Sequence, residues 1–175
     1  MQHTIEIQHQ NGVFKPVSDV YQTFRMVKRR DHMHRILEAP AMLRSFDIPK
    51  YASILEIGCG AGLAFSSITR ICKPIRMVGI DIEMDMLNKA AKEVDKQDLV
   101  VELNQQDVRD LEFSDKSFDV IIDFGTCYHI RKRPMALSEI SRVLRPGGLL
   151  LYETKINQFL SHPFRFSGVK SMDTF

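Results

Sequence analysis

The sequence predicts an α/β fold in which a doubly wound, mainly parallel sheet carries helices on both faces, and three observations predict it. From Pro49 onward, apolar runs of strand length alternate with windows of helical period. Those runs are continuously apolar, the pattern of strands covered on both sides. The first of them passes straight into a glycine-rich turn that opens a helix, the junction at which such sheets hold ligands on their carboxyl edge.

Taken in order, residues 4–8 and 13–17 flank Asn11-Gly12, the dipeptide that best supplies two positive φ values, so a short hairpin is expected there. Pro16 lacks an N–H for the ladder and demotes the second arm to an edge. From Ser18, a plausible N-cap, Val20, Phe24 and Val27 recur at helical spacing, with Met33, Ile36 and Leu37 continuing the pattern. This helix is expected to end before Pro40, and a shorter helical turn to run from Ala41 to Phe46. Then come a strand over 52–57, a helix over 62–72, a strand over 76–81, a helix over 84–95 and a strand over 99–103. A connection through Asp107 leads to a strand over 118–123, a helix over 134–144 and a final strand over 148–153. Arg145-Pro146-Gly147-Gly148 closes the last helix, since Pro146 cannot continue it and the glycines permit a sharp return. Two regions are therefore expected, an N-terminal hairpin and helical cap over 1–50 and a core over 51–175.

Composition narrows the class. With 175 residues, 44% hydrophobic and 26% charged, the chain is long enough for one domain with its own core. A net charge of +2 and a pI near 8.4 are too mild to announce a nucleic-acid binder. Cys59, Cys72 and Cys127 form no C-x-x-C or Cys/His pair, which argues against a disulfide framework and a zinc site. The first twenty residues alternate polar and apolar positions, so no signal peptide is expected, and no run of about 18 apolar residues offers a membrane span. A reducing cytoplasm is the expected compartment.

The sharpest chemical signal is Glu56-Ile57-Gly58-Cys59-Gly60-Ala61-Gly62. Glycines alternating at a strand-to-helix junction let a ligand lie against main-chain amides at the positive end of a helix. A dinucleotide fingerprint, G-x-G-x-x-G/A, needs a small residue where this chain has Leu63, or Phe65 if it begins at Gly60. No G-K-[ST] follows, so a P-loop is excluded. Asp81 ends the next strand nineteen residues after Gly62, where a carboxylate is either a strand-end cap or a ligand contact.

The pattern E-x-G-x-G-x-G, followed by Asp81, by Gln106-Asp107-Val108, by Asp123 to His129 and by the segment Leu137 to Tyr152, resembles class I S-adenosylmethionine-dependent methyltransferases. The likeness runs from about Ile54 to Glu153 and is closest to small-molecule enzymes such as those of quinone biosynthesis. It implies a Rossmann-like fold, S-adenosylmethionine as cofactor and a small-molecule methyl acceptor. The cofactor residues it implies are Glu56, Gly58, Cys59, Gly60, Gly62, Asp81, Ile82, Asp107, Val108, Asp123 and Phe124. Asp81 would take the ribose and Asp107 with its adjoining backbone the adenine. The family normally adds two strands after the fifth, and the 22 residues beyond Glu153 are few for them. The last one or two strands are thus expected to be missing. The free edge left on strand 148–153 is expected to be covered either by the N-terminal hairpin or by a second subunit, the latter making a homo-oligomer.

His129, with Tyr128 beside it, is the candidate base for an acceptor that must lose a proton; a histidine bonded within its loop is the alternative. Neither Pro-Pro-Tyr nor Pro-Cys follows the fourth core strand, which disfavours methylation of nucleic-acid bases. Lys28-Arg29-Arg30 and Arg131-Lys132-Arg133 read as solvated helix ends or as anion contacts. Phe24, Met33, Ile36 and Leu37 read as core or as a cover over the acceptor. A relative that keeps the pocket but serves as a non-catalytic partner, and an RNA or protein methyltransferase, stay open.

Overall fold

A computed structural model describes residues 5–10, 34–130 and 132–153. The second hairpin arm with its Asn11-Gly12 turn, Val20, Phe24, Val27, Met33, the run 28–30, Arg131 and everything after Glu153 lie outside these residues.

Among the described residues one sheet of six parallel strands forms, in the order β1-β4-β3-β2-β5-β6. The strands are β1 (Ile7–His9), β2 (Ser53–Ile57), β3 (Arg76–Asp81), β4 (Glu102–Gln105), β5 (Phe118–Asp123) and β6 (Leu144–Tyr152). Helix α1 (Ala39–Arg44) precedes β2, α2 (Phe65–Cys72) joins β2 to β3, α3 (Met84–Lys96) joins β3 to β4, and α4 (Arg133–Val143) joins β5 to β6. The doubly wound class is as the sequence predicts. Successive strand residues feed opposite faces: Ile54, Val120, Ile122, Leu103 and Leu151 pack with α1, α2 and α3. Leu55, Ile57, Val78, Ile80 and Ile121 pack with Ala136, Ile140 and Val143 of α4. In α3 the inward residues Leu87, Ala90 and Val94 keep helical spacing.

Several expectations are corrected. The arm over 4–8 pairs in parallel with β4, Ile7 opposite Leu103, at the sheet edge opposite β6. It therefore does not cover the edge of the last strand; Ile5 and Ile7 find their apolar neighbours on the α1–α3 side of the sheet instead. Pro40 does not end a helix. A π-helical turn, His34–Glu38, runs directly into α1, where Pro40 lies in the first turn and its missing N–H costs little. Leu37 on that turn is 55% exposed, so it is not core. Helix α2 starts at Phe65 instead of 62 because the loop before it closes its own turn, Gly62 N–H to Cys59 C=O at 2.9 Å. Strand β4 lies later than 99–103, with Val100 fully in solvent at 91% exposure.

The helix ends at Val143, before the run Arg145-Pro146-Gly147-Gly148, which lies inside β6 and does not close the helix. Register jumps from Phe118 opposite Leu144 to Val120 opposite Leu149, so the four residues bulge against Asp119. Gly147 takes φ +78° there, and a Cβ on Gly148 would sit 2.8 Å from the Asp119 carbonyl oxygen. Asp119 fastens the bulge: its Oδ1 accepts from Arg145 at 2.6 Å and its Oδ2 from the Ser53 N–H at 2.8 Å. No helix among the described residues is long and apolar enough to cross a membrane.

Candidate functional site

The chemistry-bearing residues meet where β2, β3 and β5 end. Glu56 lies opposite Gly79 of β3 and Ile122 of β5, 3% exposed, and its Oε2 has no hydrogen-bond partner among the described residues. Burial pushes its carboxyl well above the ordinary glutamate value, and Asp81 and Asp123 push it the same way. A buried acid without a partner is a cost the fold bears at this point.

Beyond Ile57 the loop is tied to β3. The Cys59 N–H donates to Ile80 C=O at 2.9 Å, and the Gly60 N–H donates to Asp81 Oδ2 at 2.8 Å. Asp81 Oδ1 accepts from the Glu83 N–H at 2.9 Å, so one carboxylate joins the glycine loop to the start of α3. Burial raises the Asp81 carboxyl, against the pull of the Glu83 and Gly60 amides. Two glycines are required for different reasons. Gly60 has φ +54° with open space around it, so backbone conformation alone selects it. Gly58 has φ +60°, and a Cβ there would lie 2.7 Å from Cβ and Cγ2 of Thr126 and overlap its hydroxyl. Gly62 ends the loop against the Phe65 ring. Cys59 is buried, and burial followed by the Glu56 and Asp81 carboxyls raises its thiol.

After β5 the chain folds back on Asp123. Its fully buried carboxylate accepts from the N–H groups of Gly125 (2.9 Å), Thr126 (2.5 Å) and Cys127 (3.0 Å), shaping the 3₁₀ turn Cys127–His129. Arg133 braces the same turn by donating to Cys127 C=O at 3.3 Å and Tyr128 C=O at 3.2 Å. This member of the basic run therefore serves the protein's own backbone. Phe124 is half-buried against the α1–α3 core. Tyr128 is buried, His129 is exposed, and their rings lie 4.1 Å apart at 50°. Cys127 is a packed thiol, fully buried.

The third strand-end, after β4, carries Asp107. The Gln106 N–H donates to Asp81 C=O at 3.2 Å, and Gln105 Nε2 donates to Ile82 C=O at 3.1 Å, which joins this loop to the Asp81 corner. Asp107 is paired with Arg109, whose Nε reaches both carboxylate oxygens at 2.9 and 3.0 Å. Burial raises Asp107, but Arg109 outweighs it and the carboxyl lies below the ordinary aspartate range. Val108 is buried beside Leu111 on the α4 side.

Sequence reasoning missed Thr126, which fills the space over Gly58 and donates to Ile57 C=O at 3.3 Å. Its only sequence signal is its place three residues after Asp123. A hollow of about 530 Å³ lies at the opposite end of the sheet between Lys50, Tyr51, Asp119 and Arg145. None of the predicted site residues lines it, and parallel sheets bind ligands at the other, carboxyl edge. No group of three His, Cys, Asp or Glu among the described residues is placed to hold a metal ion.

Residues 55–152 match a family described as a methyltransferase domain. The chain is 35% identical over 99 residues to the fatty-acid O-methyltransferase of Mycolicibacterium smegmatis, covering 57% of this chain and 35% of that one. It is 26% identical over 160 residues to the ubiquinone biosynthesis O-methyltransferase of Parvibaculum lavamentivorans, covering 91% and 61%. The chain thus spans about a third of the first relative's length and under two thirds of the second's. A crystal structure of a SAM-dependent methyltransferase from Aquifex aeolicus superposes with a TM-score of 0.62 at 22% identity, over 69% of this chain and 66% of that one, a likeness of fold.

Proposed function

This chain belongs to the methyltransferase-domain family, and from that premise we propose that it moves a methyl group from S-adenosylmethionine to an oxygen, nitrogen or carbon nucleophile of a small molecule. One observation carries the proposal: the buried Glu56 carboxyl, whose Oε2 has no hydrogen-bond partner among the described residues, stands on the strand that runs into a positive-φ glycine loop tied to Asp81. An orphaned buried acid is satisfied by a ligand bearing a cation or a donor, and an α-ammonium group supplies both. The residues present fit the cofactor.

In this reading Glu56 and the loop Gly58, Cys59, Gly60 and Gly62 hold the amino-acid end. Asp81 and Ile82 hold the ribose, Asp107 and the Val108 backbone the adenine, and Asp123 with Phe124 borders the reacting end. The cofactor supplies a methyl already activated on a sulfonium. What remains for the chain is to place the acceptor in line and to exclude water. His129, exposed on the turn that Asp123 shapes, is the residue we assign to take the acceptor's proton, with Tyr128 packed against it. Both relatives described above are named as O-methyltransferases, which supports an oxygen acceptor. The three free, buried cysteines support the cytoplasm as its compartment.

Calorimetric titration of S-adenosylmethionine and S-adenosylhomocysteine into the full chain and into Asp81→Ala tests this reading. Micromolar affinity lost in the variant is expected, with about 2.7 kcal/mol of added stability at ligand a hundredfold above its Kd. Absence of binding to the intact chain would overturn it.

A further inference from the structure

Strand β1 lies outside the residues matched by the family, yet Gln10, the residue just past its end, reaches into the Asp107 loop with its side chain. Beyond His9 the ladder continues with the Gln10 N–H donating to Gln105 C=O at 3.0 Å. There the β4 chain turns, and the Asp110 N–H donates to Asp107 C=O at 2.9 Å. The Gln10 carboxamide takes both ends of that turn: its Oε1 accepts from the Asp107 N–H at 3.0 Å, and its Nε2 donates to Asp110 C=O at 2.6 Å. A carboxamide offers an acceptor and donors in one plane, as a peptide group does, so this side chain stands in for one more residue of strand.

The rest of the loop is fastened from elsewhere. The Leu111 N–H donates to Glu139 Oε2 at 2.8 Å, and the Glu112 N–H to Gln106 Oε1 at 3.1 Å. Arg109 fixes the Asp107 carboxylate. The backbone of the turn itself is set by a residue 97 positions away in sequence.

We propose that Gln10 is a positioning residue for adenine recognition, setting the backbone of turn 107–110 so that the Asp107 carboxylate and the Val108 backbone meet the purine edge. The proposal rests on the reading of Asp107 as the adenine contact. A carboxylate accepts from the 6-amino group of adenine and repels the 6-oxo group of hypoxanthine, so the readout is base discrimination.

The experiment is calorimetry of S-adenosylhomocysteine against S-inosylhomocysteine on the full chain and on Gln10→Met, which keeps the length and removes both bonds. The wild type is expected to prefer the adenine compound. In Gln10→Met that preference is expected to shrink about tenfold, roughly the worth of the lost hydrogen bonds, while affinity for the inosine compound changes little. Should Gln10→Met fail to fold, Gln10→Glu sets a carboxylate against the Asp110 carbonyl and is expected to lower the preference in the same direction. An unchanged preference, or equal weakening of both ligands, overturns the proposal while leaving the cofactor reading intact. A wild-type chain that binds neither ligand overturns both.

Discussion

Replacing Gly58 by alanine makes two costs separable. An L-residue at φ +60° bears about 1–2 kcal/mol of backbone strain, whatever surrounds it. The added Cβ also runs into Thr126, whose Cβ and Cγ2 stand 2.7 Å away, and overpacking of this kind costs about 1–3 kcal/mol. Gly60→Ala shares the first cost and is spared the second, since its Cβ would meet open space at φ +54°. Gly58→Ala is thus expected to lose about 3 kcal/mol, lowering the melting temperature by roughly 6–12 °C for a domain of this size, and Gly60→Ala about half as much. Urea unfolding followed by circular dichroism gives both values. Thr126→Gly removes the obstructing atoms, so in that background the extra cost of Gly58→Ala should vanish as a coupling energy in a double-mutant cycle. Equal losses for the two alanines in the wild-type background, or no coupling to Thr126, would refute the close approach of the glycine loop to the β5 turn.

Three further outcomes are expected. A carboxyl raised by folding binds its proton more tightly in the native state than in the unfolded one, so Glu56 makes stability fall as pH climbs from the ordinary glutamate value towards its raised value. In Glu56→Gln, urea midpoints across that range should fall less; parallel curves would show that Glu56 titrates normally. Arg142 donates to Leu111 C=O, Phe113 C=O, Asp115 and Glu139, so Arg142→Ala should cost about 2 kcal/mol or more in urea unfolding, against at most about 1 kcal/mol for Arg76→Ala, whose pair with Glu102 is exposed. Similar losses for the two would contradict that ranking. His129→Ala should lower kcat and leave cofactor affinity unchanged; undiminished turnover removes the proposed base.

What the sequence made legible is what nearby residues decide. Strands at 76–81 and 118–123 stand where apolar runs meet turn chemistry, and Asp81 falls at the strand end that its spacing from Gly62 implies. Distant partners were not legible. The residues of β1 look the same whether they lie beside β4 or beside β6, because an edge strand's neighbour is chosen by surface available elsewhere in the sheet. The run Leu99-Val100-Val101 reads as strand, yet pairing with β3 begins at Val78 opposite Glu102 and leaves Val100 in solvent. Pro40 reads as a stop, but position within the first turn decides its effect. Thr126 and Gln10 matter through bonds to residues 69 and 97 positions away, which no local pattern encodes.

The bulge at residues 145–148 also governs how the chain tolerates length changes. Beyond it Leu149 and Leu151 face the α1–α3 side of the sheet, and Leu150 and Tyr152 face the α4 side. One residue inserted after Leu149 would invert every later position and carry Leu151 from one core to the other. One inserted at Gly147, where open space surrounds the glycine, could swell the bulge and leave the two faces undisturbed. The proline-glycine run is thus a slack loop taken up within a strand, and it separates the length of the α4 connection from the choice of which leucines enter which core.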